Sequence, residues 1–217
     1  MIVLGLDTAQ GACSAAVLAD DGPLAVLSEA MTRGHQERLA SMVQDVMAKA
    51  SLGFDSLDRI VVTVGPGSFT GLRVGLAFAK GLGLALKVPV IGVGSLEALA
   101  ASVSVADMVL AAIDARRGRR RRPAGISGRA LMAPDVLPVE TAAARVAELN
   151  PMGQVVIVGS GAPLLEGMVA AARLAPLAAP DPVALARLGA AKPVTAPRPL
   201  YLRAPDAKLP GGIDPWN

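Results

Sequence analysis

The chain has 217 residues, 53% hydrophobic and 18% charged, enough apolar material for one large domain or two small lobes and too much for a disordered chain. Aromatic residues make up only 2%, with one Trp and one Tyr, so a base-stacking surface of the kind many single-strand binders use has almost nothing to work with. The net charge of +3 is uneven: residues 116–122, "RRGRRRR", hold six of the 21 basic residues, and the other 15 face 18 acidic ones. Any attraction for nucleic acid must rest on that segment.

One cysteine, Cys13, excludes an internal disulfide and points to a reducing compartment, and one histidine, His35, excludes a two-histidine metal site. The first residues lack a basic region and carry Asp7 inside their apolar run, unlike a signal peptide. The most apolar later stretch, residues 74–88, is interrupted by Lys80 and is shorter than the roughly 20 residues that span a bilayer. No membrane partner is expected, and the expected location is the cytoplasm.

In chain order, residues 2–6 form a short apolar run ending at Asp7, "CSAAVLAD" a second strand and "PLAVLSEA" a third, with Asp20, Asp21 and Gly22 as a hairpin turn. Three sequential antiparallel strands are the simplest arrangement. Leu39, Met42, Val43, Val46 and Met47 recur at three and four, predicting an amphipathic helix over 35–50. "RIVVTV" reads as a buried strand, Ser68 as the N-cap of a helix reaching about Leu86, and "VPVIGV" as the next strand.

This βββαβαβ order is that of one lobe of an actin-like, ribonuclease-H-like α/β fold, and places an N-terminal lobe at 1–101. A smaller second lobe over 102–217 would contain a strand at "MVLAAID", a helix over 141–149, a strand at "QVVIVG", short helices to Ala191 and an extended proline-rich tail. Each lobe is expected to be a mixed sheet flanked by helices.

Between the buried strand and its helix lies "TVGPGSFTGLRVG". Gly65, Gly67 and Gly71 have the wrong spacing for a P-loop, and Leu72-Arg73 stands where Lys-Ser/Thr would follow. Thr70 breaks the dinucleotide fingerprint. A helix N-terminus after a glycine turn can still bind an anion through backbone amides; the alternative is a tight turn before a capped helix.

Gly71, Gly75, Ala79 and Gly83 recur every four residues and form a smooth ridge, with Gly81 nearby. Interior glycines cost roughly 1 kcal/mol each, on the order of 3 kcal/mol in all, so close backbone approach must offset the loss. The ridge can face the lobe's own sheet or a helix of a second chain, with Phe69, Leu72, Arg73 and Leu76 flanking it.

"LGLDTAQGACSAAVL", "HQERLASMV", "VGPGSFTGLRVGLAFAKGLGLAL", "VPVIGVGSLEALA" and "AAIDARRG" together resemble the TsaB family, densely from residue 2 to about 118 and sparsely afterwards, at "VVIVGSG" and "RPLYLR". The resemblance implies the two-lobed actin-like fold and a non-catalytic scaffold or activator. Its implied partner is TsaD, which carries the metal and transfers the threonylcarbamoyl group to tRNA, forming N6-threonylcarbamoyladenosine beside the anticodon of tRNAs reading codons that begin with A. TsaE, an ATPase, is the implied third component. ATP with magnesium and threonylcarbamoyl-adenylate would be used by the complex, with no cofactor bound by this chain alone. TsaD-like metal binding uses two histidines on one helix, and here Leu39 stands four residues after His35.

The implied docking residues are Ser68, Phe69, Gly71, Leu72, Arg73, Gly75, Leu76, Ala79 and Gly83, with His35 and Leu39 on the preceding helix. Self-association through the same ridge when the partner is absent is a third reading, which the sequence does not separate from heterodimer formation. Asp7, Thr8 and Asp114 are candidate nucleotide-binding residues at strand ends, where two carboxylates can hold magnesium, although such aspartates also serve as turn and cap residues. The competing class is a stand-alone ATP-dependent phosphotransferase or peptidase. Arg119, Arg120, Arg121 and Arg122, followed by Pro123, cannot form a central buried strand, and either contact tRNA phosphates or form a solvated charged loop.

Overall fold

The apolar run that ends at Asp7 becomes the middle of a five-stranded sheet in the computed structural model, which describes residues 1–105, 107–114, 123–124, 133–150 and 153–202. The first lobe comprises β1 (Val3–Asp7), β2 (Ala12–Ala19), β3 (Gly22–Ala30), α1 (His35–Lys49), β4 (Arg59–Gly65), α2 (Phe69–Leu86), β5 (Val90–Gly94) and α3 (Ser95–Ala101). The strand order is β3-β2-β1-β4-β5. β1 and β2 pair antiparallel, as do β2 and β3, whereas β4 runs parallel to both β1 and β5. This is the ribonuclease-H-like order expected of an actin-like lobe.

All five β1 residues are buried because helices cover both sheet faces, which removes the polar alternation of a half-exposed strand. Leu4, Leu6, Cys13, Ala15, Val17, Ile60 and Val62 pack on one side against the apolar stripes of α1 and α2. Val3, Leu18, Val61, Ile91 and Val93 pack on the other against α3 and a helix from far along the chain.

The remaining elements are β6 (Met108–Ala111), β7 (Ile113–Asp114), β8 (Pro123–Ala124), α4 (Val139–Leu149), β9 (Val155–Val158), β10 (Ala172–Ala175) and α5 (Pro182–Ala191). β10, β9 and β6 form a parallel sheet in that order, while β7 and β8 pair antiparallel. Val139, Ala142 and Val146 of α4 cover one face of the three-stranded sheet. Leu96 and Leu99 of α3 cover the other.

α5 lies in the segment assigned to the second lobe, yet it packs on β1, β2 and β4 of the first sheet. Two glycines permit this approach: a Cβ on Gly5 would stand 3.0 Å from Ala186 Cβ, and one on Gly189 would collide with Val61. Arg59 Nη1 then donates to the carbonyls of Gly189, Ala190 and Lys192 at 2.8–2.9 Å, placing a cation on the helix C-terminus.

The expected single strand "MVLAAID" divides at Ala112, whose amide donates to Val158 O. Residues 172–175, expected in a helical region, are instead β10; parallel pairing with β9 overrides the helix preference of Ala, Arg and Leu.

Candidate functional site

The glycine turn follows β4 through a cis Gly65–Pro66 bond, with Gly65 at φ +109°, a conformation suited to glycine. Ser68 caps α2 as the sequence implies, its Oγ accepting from Gly71 N at 3.3 Å. The turn is filled by the chain's own β1–β2 loop. Ser68 N donates to Ala9 O at 2.8 Å, Gln10 Nε2 donates to Pro66 O at 2.8 Å, and Thr8 Oγ1 donates to Gly71 O at 2.7 Å. The amides of Ser68 and Gly71 are thus engaged internally, which disfavours a phosphate cradle.

Asp7 and Thr8, named above as candidate nucleotide residues, are buried. Asp7 Oδ1 accepts from Thr63 Oγ1 at 2.6 Å and from Ala9 N at 3.0 Å, tying β1 to β4 and to the loop. Oδ2 makes no hydrogen bond. Burial pushes the Asp7 carboxyl up to about 6, against the pull of those two hydrogen bonds and of nearby His35. Asp114 is half-buried on β7, its amide donating to Ser160 Oγ at 3.1 Å. Arg119, Arg120, Arg121 and Arg122 lie outside the described residues. Among the described residues no group of three His, Cys, Asp or Glu side chains could hold a metal ion.

The structure separates the two faces of α2. Gly71, Gly75, Ala79 and Gly83, expected as a docking ridge, point inward together with Leu72 and Leu76. A Cβ on Gly71 would collide with Thr8 O, one on Gly75 would stand 2.6 Å from Thr8 Oγ1, and one on Gly83 would collide with Val90. Close approach to the lobe's own loop and sheet therefore accounts for these small residues. His35 and Leu39 are buried at the α1–sheet contact, which removes them from an exposed docking surface.

A second stripe points outward: Phe69, Arg73, Ala77, Gly81, Leu84 and Ala85 are exposed, and Gly81 has open space where a Cβ would go. Leu84 is 82% exposed, unusual for a large aliphatic side chain. Of the expected docking residues, Ser68, Phe69 and Arg73 are exposed on this side. Ala77, Gly81 and Leu84 share this exposed stripe and were not singled out as docking residues from the sequence, where the signal was a second small-residue spacing, Ala77, Gly81, Ala85, offset by two from the first. α2 is long and apolar enough to cross a membrane by length and composition, a test that helices packed on a soluble core also pass.

The extended segment after α5 returns to this helix. Leu200 N donates to Val64 O at 2.7 Å, and Tyr201 lies 5.5 Å from the Phe69 ring, centroid to centroid. The Arg73 guanidinium sits over the Phe69 ring, 3.8 Å from its centroid.

A solved Pseudomonas aeruginosa protein described as similar to the peptidase YeaZ superposes with a TM-score of 0.78 at 30% identity, covering 93% of this chain and 99% of that one. A second solved structure, YeaZ from Pseudomonas aeruginosa, gives 0.75 at 30% identity with the same coverage. The chain belongs to the TsaB/YeaZ family. The tRNA threonylcarbamoyladenosine biosynthesis protein TsaB of Escherichia coli is 40% identical over 121 residues, 54% of this chain and 52% of that protein. The matched segment therefore spans about half the length of that curated relative. Residues 24–120 also match the family described as TsaD, tRNA N6-adenosine threonylcarbamoyltransferase. This second match falls mainly on the first lobe, where α1 and α2 reside.

Proposed function

We propose that this chain is a non-catalytic subunit that docks a TsaD-type tRNA N6-adenosine threonylcarbamoyltransferase through the outward face of α2 and leaves the chemistry to that partner. The single observation that carries the reading is the exposed stripe Phe69, Ala77, Gly81 and Leu84: an apolar helix face whose small residues admit a second helix closely. The family relationship supports the biosynthetic context, formation of N6-threonylcarbamoyladenosine in tRNA. The sequence supports the division of labour, because the sole histidine leaves a two-histidine metal site without its second ligand.

In this reading ATP, magnesium and threonylcarbamoyl-adenylate are used by the assembled complex, which includes the ATPase TsaE and through which tRNA is reached. The same face supports self-association when the transferase is absent. The complex works in the cytoplasm.

A stand-alone phosphotransferase or peptidase is the second reading, the latter favoured by the likeness to a solved Pseudomonas aeruginosa protein similar to the peptidase YeaZ. Asp7, the carboxylate on which such activity would draw, is buried and hydrogen-bonded within the lobe, which counts against it. ATP hydrolysis or peptide cleavage by the purified chain, abolished in Asp7→Asn, would support the second reading and displace the first.

Size-exclusion chromatography with light scattering on this chain, the transferase of the same organism and their mixture tests the proposal. A stable heteromeric complex for the wild type that is lost in Leu84→Asp is the expected result. Independent elution, with and without TsaE and ATP, would refute it.

A further inference from the structure

The outward face of α2 carries Arg73 and Lys80, with Lys87 immediately after the helix, and α2 has no acidic residue. Among the described residues none of these three cations takes part in an ion pair. Arg73 is nevertheless not a loosely tethered charge. Its guanidinium is 3.8 Å from the Phe69 centroid, and Phe69 in turn meets Tyr201, delivered by the segment that follows α5 and held by the Leu200–Val64 hydrogen bond. A planar guanidinium supported by an aromatic ring loses less freedom on pairing than a mobile side chain, and its fork matches a carboxylate.

Resting on the docking function proposed above, we propose that the Tyr201–Phe69–Arg73 cluster is a selectivity element of the α2 interface, presenting Arg73 to a carboxylate on an apolar helix of the transferase. The apolar stripe favours a protein helix over nucleic acid: Ala77, Gly81 and Leu84 continue from the cluster along α2, interleaved with Lys80, and offer close apolar contact that a phosphate backbone does not use. Phe69 and Tyr201, 44% and 41% exposed, form the aromatic end of that stripe. Tyr201 extends the interface beyond the first lobe's own sequence, so the segment after α5 contributes directly to partner choice.

Isothermal titration of the full chain with the transferase at several salt concentrations tests the inference, using wild type, Arg73→Gln, Arg73→Lys and Tyr201→Ala with unchanged melting temperatures as the folding control. Arg73→Gln is expected to weaken binding about tenfold and to reduce its salt dependence, whereas Arg73→Lys weakens binding while retaining salt dependence. Tyr201→Ala should weaken binding about threefold to tenfold, in line with loss of an aromatic contact and of support for the Phe69–Arg73 pair. Wild-type affinity and salt dependence in both Arg73→Gln and Tyr201→Ala would overturn the selectivity role while leaving docking intact. Absence of wild-type binding would overturn docking and the inference together. Tighter dependence of tRNA binding on Arg73, with transferase binding unchanged, would overturn the carboxylate assignment in favour of phosphate recognition.

Discussion

The two faces of α2 use small residues for different ends. On the inner face, Gly71, Gly75 and Gly83 are demanded by atoms already in place: Thr8 O, Thr8 Oγ1 and Val90 leave no room for a side chain. On the outer face, Gly81 meets nothing within 4 Å, and its smallness serves no contact within the described residues. The same helix-weakening residue is thus an internal packing requirement at Gly83 and stands in open space at Gly81, two positions earlier. Spacing alone does not distinguish them.

The largest expected effect lies on the inner face. Gly75→Leu should destabilise the fold by more than about 3 kcal/mol, because the new side chain must displace Thr8 and the loop that fills the glycine turn. Urea unfolding measures it; wild-type stability would mean that the two faces have been assigned the wrong way round.

Asp7 sharpens the inner-face account through pH. A carboxyl raised from 3.8 to about 6 binds its proton more tightly in the folded chain, so its stabilising contribution is present below about pH 4 and is lost as pH rises through 6. The two-unit shift corresponds to about 3 kcal/mol of stability lost over that window. Asp7→Asn should flatten this component of the pH profile, read from chemical denaturation between pH 4 and 7. An unaltered profile would show that the carboxyl is not held in a dry environment between β1 and β4.

Arg59→Ala should cost about 1–2 kcal/mol by freeing the carbonyls at the end of α5. A loss within 0.5 kcal/mol in thermal unfolding, about the size of an ordinary surface substitution, would separate α5 from the stability of the first lobe. The smallest effect belongs to the outer face: Gly81→Ala should raise stability by up to about 1 kcal/mol through helix propensity, since its Cβ enters open space. Destabilisation there would place Gly81 in the interior and erase the contrast between the faces.

Much of the first lobe was legible because its local signals agreed. Apolar runs marked β1 and β4, the three-and-four spacing marked α1, Ser68 marked the start of α2, and the Asp20–Asp21–Gly22 turn joined two antiparallel strands. β10 was illegible because "ARLA" favours a helix locally and becomes a strand by pairing with β9. Of the candidate site, Ser68, Phe69 and Arg73 were placed on the exposed side, whereas the ridge behind them was turned inward, Gly71 and Gly75 against Thr8 more than 60 positions earlier and Gly83 against Val90 on the next strand.

The sequence by itself determined the order of strands and helices in the first lobe from β1 to β5, though not α3, the lack of a second histidine to complete a two-histidine metal site, and the presence of a small-residue helix after the glycine turn. Only the tertiary structure decided which side of that helix meets the sheet, that α5 returns to the first lobe, and that Tyr201 reaches Phe69. Periodicity specifies that a helix has faces; long-range packing between segments distant in the chain selects the face that water, or a partner, can reach.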